Sequence, residues 1–279
     1  MLMKKVGLVD MTGKVDAHAM SAAVAAVNIQ VTRDLPQFWP INATVEYLPD
    51  RHHIPQGVWP VQIVDHLPAG EGGFHQTRHG QPYAKIVLTP GSNEWTVDFS
   101  HETLEMLVDP SGNRLQTSGA IGIDGRGQIK DVTGRFEYLV EACDPCEADD
   151  FTYLIDGVSV SDFITPHFYD PKLIPGTRYS FTGAISRPRE ILKGGYISFL
   201  NPTDGELQQI LWVDPNEPPQ LVDLGPAPKG MSLRVFVENK TRQMALHKRA
   251  GLSANIAKAR KADREKLAAA ATARAKHYV

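Results

Sequence analysis

His101, Glu102 and Glu105 spell HExxE, and on a helix the i and i+4 side chains lie on one face about one turn apart. An imidazole nitrogen and a carboxylate oxygen so placed can share one divalent cation, most simply zinc, with another divalent ion admissible. Glu102, next to the first ligand, is placed to take a proton from water that the cation activates. In the better-known form of this arrangement a second histidine stands where Glu105 is; carboxylate is an accepted ligand, so the exchange alters the field at the ion without forbidding a site. Ser100 reads as an N-cap, His101 to Asp109 as a short helix, and Pro110-Ser111-Gly112 as its stop. The bland alternative is a hydrogen-bonded His101 and Glu105 pair on a helix that buries Leu104, Leu107 and Val108.

A further ligand is expected from Asp109 first, then Asp144, then Glu147. Asp109 is eight residues, or about 12 Å along an unbroken helix, from His101, so it reaches the same ion only if the helix breaks at Asp109-Pro110. Asp144 and Glu147 lie in Glu141-Ala-Cys-Asp-Pro-Cys-Glu147, where carboxylates and thiols are concentrated. Cys143 and Cys146 supply half the ligands of a structural zinc site, a redox couple, or two neutral thiols; one C-x-x-C does not choose among these. Glu105, Asp109 and Asp144 together also suit a harder, oxygen-bound cation with a structural role. Among the other histidines His75 stands out because it follows the Gly-rich turn Ala69 to Gly73, where it is positioned to bind substrate or polarise its carbonyl; a solvated loop histidine is the bland reading. No GxxxxGK[ST], no GxGxxG after a strand and no GxSxG is present, which disfavours nucleotide-dependent and serine-hydrolase chemistry.

The elements that must hold these residues follow from periodicity. Met20, Ala23, Val24, Val27 and Val31 mark a helix from Asp16 to Leu35, ended by Pro36. Strands are expected at Ala43 to Leu48, Val58 to Val64 and Tyr83 to Leu88, ahead of the helix that carries HExxE. Later strands are expected at Tyr138 to Ala142, Tyr153 to Val160, Tyr179 to Ile185, Tyr196 to Leu200, Ile210 to Val213 and Ser232 to Val237. Helices and strands do not alternate, so the class is α+β with a mixed sheet.

This order, with a Gly-rich turn and strand before a helix opening on His-Glu, resembles the zincin-like metallopeptidases over roughly Asp16 to Asp170. The HETLEM, DP, CDP and SDF segments are similar to those of bacterial and phage proteins. The resemblance implies hydrolysis of a peptide bond in a peptide or protein substrate, His101 and a further residue on zinc, and Glu102 as general base. It also implies that the strand before the helix, with Tyr83, Ala84, Lys85 and Ile86, is the edge along which an extended substrate lies.

The 279 residues, 42% hydrophobic and 22% charged, suffice for a sizeable core without staples. No apolar run approaches a membrane span and no leader-like stretch opens the chain, so a cytoplasmic location without membrane association is expected. The net charge of −3 hides an asymmetry: residues 240–279 hold eleven Lys and Arg against Asp263 and Glu265, a net of +9, which leaves −12 on residues 1–239. The chain is therefore divided into a zincin-like catalytic body, 1–239, and a basic helical C-terminal arm, 240–279. The arm suits docking to a protein partner or self-association; it lacks aromatics before Tyr278, so nucleic acid is not expected. The rival class of function is a non-catalytic, zincin-shaped binding or structural protein, such as a phage assembly component.

Overall fold

The apolar run in Lys4–Asp10 makes β1, and its burial on both faces suits the middle of a parallel sheet. The helix α1, Ala17–Ile29, starts on Asp16, whose carboxylate accepts from the His18 and Ala19 backbone N–H groups, and it buries Met20, Ala23, Ala26 and Val27. The expected helix up to Leu35 continues beyond it as a wider π turn, Gln30–Asp34, and a 3-10 turn, Leu35–Gln37. Strands β2 (Ala43–Tyr47), β3 (Val58–Val64), β4 (Gly73–Arg78) and β5 (Gln81–Val87) follow, then α2 (Glu94–Val108). These five strands form one sheet in the order β2-β1-β3-β5-β4. All its pairings are parallel except β4 against β5, so the single antiparallel strand lies at an edge. This is a computed structural model that describes residues 3–67, 72–89, 92, 94–214 and 216–241.

Helix α2 packs on β4 and β5 through Trp95, Phe99, Leu104 and Leu107, all in the core. It begins seven residues before His101, so Ser100 is interior to the helix and not its cap. Ser100 Oγ donates to Gln30 Oε1 at 2.7 Å and accepts from the Ser161 backbone N–H at 3.0 Å, while Gln30 Nε2 donates to the Ser161 carbonyl at 2.9 Å. The π turn thus delivers an amide that clamps α2 to the chain at Ser161, and with it fixes the height of His101 one residue on.

The second half contributes β6 (Leu115–Ile123), β7 (Ile129–Leu139), the small hairpin of β8 (Tyr153–Ile155) and β9 (Val158–Val160), then β10 (Tyr196–Leu200), β11 (Glu206–Leu211) and β12 (Gln220–Pro226). Five of these form an antiparallel sheet in the order β12-β11-β10-β7-β6. The stretch expected as one strand from Tyr153 to Val160 reverses at Asp156 and Gly157, both at positive φ (49° and 82°), as a two-residue hairpin requires. Tyr179 to Ile185 makes only an isolated bridge, Ile164 to Ser180. The expected strand at Ser232 to Val237 is instead the start of a helix, α3, over residues 233–241. Ser232 caps it, accepting from the Val235 N–H on its hydroxyl and the Phe236 N–H on its carbonyl.

The class is α+β, as expected. One apolar core runs from Val6 and Met20 through Phe99 and Leu104 to Tyr138 and Phe199. The chain divides into Met1–Val237 and Glu238–Val279. Of the second unit only residues 238–241 are described, so the expected basic arm, but for residues 240 and 241, lies outside the described residues. Among those described, no helix is long and apolar enough to cross a membrane.

Candidate functional site

The face of α2 opposite its apolar contacts carries His101, Glu102 and Glu105 into a cluster that three other segments complete: β4, residues 141–144 and the start of α3. His101 Nε2 lies 3.4 Å from Glu105 Oε1 and 3.2 Å from Asp144 Oδ1. From β4, His75 Nδ1 stands 3.4 Å from Glu102 Oε2 and 3.6 Å from Glu105 Oε2. From the start of α3, Arg234 Nη1 donates to Glu105 Oε2 at 2.8 Å and to Glu141 Oε2, and lies 3.9 Å from Asp144 Oδ2; its Nη2 is 3.8 Å from Glu102 Oε2. The Cys143 backbone N–H donates to Glu105 Oε1 at 3.0 Å. All of these side chains are buried except that of His101, which keeps 12% of its surface exposed and marks where the cluster meets solvent.

Two glycines let the segments come this close. A Cβ on Gly73 would stand 2.8 Å from Glu102 Oε1, so β4 passes directly over that carboxylate only because the position has no side chain. A Cβ on Gly195 would meet the Asp144 and Pro145 carbonyls at 2.6 Å, and the Leu192 N–H bonds the Pro145 carbonyl at 2.9 Å. The 3-10 turn Asp144–Cys146 is thereby seated against the chain entering β10, with Asp144 turned to His101.

Charge and burial act against each other here. Burial alone favours neutral His101, but the Glu105 and Asp144 carboxylates outweigh it and hold the imidazole well above its ordinary pKa. His75, with burial and the Arg234 charge acting together, lies well below the usual histidine range. Glu105 is held well below the carboxylate range because His101 and Arg234 overcome its burial. Burial, helped by the Glu105 charge, pushes Asp144 up to about 6. Glu141 is pushed well up by burial despite Arg234. Asp144 Oδ1 meets the His101 ion pair, and Asp144 Oδ2, Glu141 Oε1 and His75 Nε2 have no hydrogen-bond partner.

Of the residues expected at a metal, His101, Glu105 and Asp144 come together, their ligand atoms all within 4.8 Å of one another; His75, Glu102 and Glu105 form a second such group. Asp109 does not join them. Its carboxylate accepts from the Ser111 N–H and hydroxyl and from the Arg114 N–H at 2.7 Å, which closes the turn after α2. Glu147 is only half-buried and belongs to neither group. The edge expected at β5 is also corrected: β5 lies between β3 and β4, and Ala84 and Ile86 face the core with no exposure. Tyr83 and Lys85 point to the other face of the sheet, where Tyr83 bonds Gln76 at 3.1 Å. His75 is on the true edge strand and is buried, not a solvated loop residue. Arg234 and Glu141 were not expected; the serine ahead of Leu233 as a helix cap was the available signal for α3. No family model, curated protein or solved structure matches this chain.

Proposed function

We propose that the chain is a metal-dependent peptidase of the zincin type, with His101, Glu105 and Asp144 holding a divalent cation and Glu102 acting as general base. The carrying observation is Asp144: a fully buried carboxylate whose Oδ2 has no hydrogen-bond partner, facing a histidine and a glutamate within ligand reach of one another. Burying a carboxylate costs several kcal/mol even beside cations, and a well-made interior ion pair is at best even with apolar packing. Four acids that share only His101 and Arg234 as cations among the described residues are therefore poorly accounted for by stability. One imidazole and two carboxylates fit zinc and equally manganese or iron.

A cation bound there supplies Lewis-acid activation of water. Glu102 accepts the proton that water loses as it attacks the scissile carbonyl and passes it to the departing amine. His75, neutral at ordinary pH by its depressed pKa, steadies the Glu102 carboxylate from the strand above. An extended substrate lies along β4, the antiparallel edge. The Val87 N–H bond to the Gly72 carbonyl sets the alternation there, so Gly73, His75 and Thr77 turn their backbone groups outward to pair with it. Zinc content by elemental mass spectrometry, with casein-type and peptide-library cleavage assays, tests this. Glu102→Gln is expected to keep the metal and lose cleavage, and His101→Ala to lose both. A wild-type protein that takes up no divalent ion refutes the proposal.

Arg234 supports a second reading. A guanidinium already bonded to Glu105 and Glu141 suits a zincin-shaped body that binds or assembles without turnover, in which the cluster is an internal ion-pair network. Metal uptake again separates the two.

A further inference from the structure

Arg234 is the one cation that α3 sends into the cluster among the described residues, and it reaches every carboxylate there: Glu102, Glu105, Glu141 and Asp144, at the distances given above. Its contact with Glu105 Oε2 and its approach to Asp144 Oδ2 use the two carboxylates that the proposed ligand set needs. Its backbone is pinned nearby. The Arg234 N–H donates to the Gly112 carbonyl at 3.0 Å and the Leu233 N–H to Asn113 Oδ1 at 2.9 Å, both in the turn that Asp109 closes. A Cβ on Gly112 would touch Arg234 Cβ at 3.0 Å. The preceding stretch, with Gly230 at φ 79° and Met231 46% exposed, is surface chain.

We propose that Arg234 is an internal latch: its guanidinium and a divalent cation compete for the Glu105 and Asp144 carboxylates, so the chain is self-capped until the start of α3 withdraws. This rests on the metal-site reading above. Arg234 bonds Glu105 Oε2 and stands by Asp144 Oδ2 while Oε1 and Oδ1 face His101, so the guanidinium charge and its hold on the same two carboxylates oppose an ion of higher charge beside them. The latch is held by hydrogen bonds, by two backbone contacts, and by Leu233, Phe236 and Val237, which pack with Leu139, Leu207 and Leu224. Displacing it asks the guanidinium to swing out of the cluster, or the first turn of α3 to move against that packing. Anything that pulls on α3, including a partner bound to the chain beyond it, then raises the metal affinity of the site by the same factor that metal raises affinity for that partner.

The experiment is zinc titration calorimetry on metal-stripped wild type, Arg234→Gln and Arg234→Lys, with His101→Ala as the site control, joined to amide exchange of the wild type with and without zinc. The latch predicts affinity for zinc higher by about tenfold or more in Arg234→Gln, and faster exchange at Leu233 and Arg234 when the wild type is loaded. Arg234→Lys, which keeps the charge but loses the fork, also binds more tightly than wild type; it serves as well where Arg234→Gln fails to fold without zinc. Equal or weaker affinity in both variants, with binding still abolished in His101→Ala, overturns the latch and leaves the metal site standing with Arg234 as its support. Slower or unchanged exchange at 233–234 on zinc loading also overturns it. Absence of zinc binding in all four proteins overturns the latch and the metal site together.

Discussion

Replacing Asp109 with alanine separates a cap from a ligand. The Asp109 carboxylate accepts three hydrogen bonds, from the Arg114 N–H at 2.7 Å, the Ser111 hydroxyl at 3.0 Å and the Ser111 N–H at 3.2 Å. The Arg114 N–H is the costly loss, because it is part-buried and charge-assisted, worth about 2 kcal/mol; the two groups on exposed Ser111 regain water and count for roughly 0.5 kcal/mol each. The sum is about 3 kcal/mol, which for a body of this size lowers Tm by about 6–12 °C. The lost bonds are not in the cluster, since Asp109 lies outside both groups of ligand atoms, although the turn that they close also anchors the Arg234 backbone. Thermal unfolding followed by circular dichroism, and metal content of the same sample below its transition, are the paired assays. The expected result is a lower Tm with metal content equal to wild type. A folded Asp109→Ala protein with unchanged Tm and no metal refutes the reasoning, and restores Asp109 as the ligand that spacing first suggested.

Two further outcomes follow from the same geometry. In Gly73→Ala the new methyl meets Glu102 Oε1 at 2.8 Å and its Cγ at 2.9 Å; Glu102 is forced aside, and cleavage is expected to fall about 100-fold with metal content retained, measured as kcat on metal-loaded protein. Asp144 has a folded pKa raised from an ordinary 3.8 to about 6, so in metal-free protein its contribution is fully present below about pH 4 and is lost as pH rises through about 6. Chelated wild type should therefore lose stability relative to Asp144→Asn across that window in urea unfolding, and a difference that is flat with pH contradicts the raising of the Asp144 pKa by burial.

How much of this was legible in the sequence depended on the range of each signal. The spacing of His101 and Glu105 is local, and the helix that carries them is present, although it begins at Glu94 and not at Ser100. A serine before a charged pair looks like a cap; only the distant Gln30 and Ser161 show why a serine sits inside a helix there. Strand β4 leaves little trace in the sequence because Gly73 to Arg78 has no alternating apolar face; one of its inward positions is histidine. Without it the sheet edge falls one strand inward, at Tyr83 to Ile86. Local composition alone points to Asp144, whose place beside His101 depends on Gly195, some fifty residues on, which lets the turn sit down. Arg234, 129 residues from Glu105, lies in Leu-Arg-Val-Phe-Val, whose β-branched residues favour a strand by propensity; the core contact of Val237 and the Ser232 cap make it a helix instead.

The paired thiols beside Asp144 have a use of their own. Cys143 and Cys146 are free, have at most 1% of their surface exposed, and are held in the protonated form by burial, so an alkylating reagent finds no thiolate while the 3-10 turn is seated. Each modification event must wait for that turn to lift away from Gly195, and the labelling rate of the native protein then counts how often it lifts. The molecule carries, one residue from its candidate ligand, a chemical clock for the opening of its own interior.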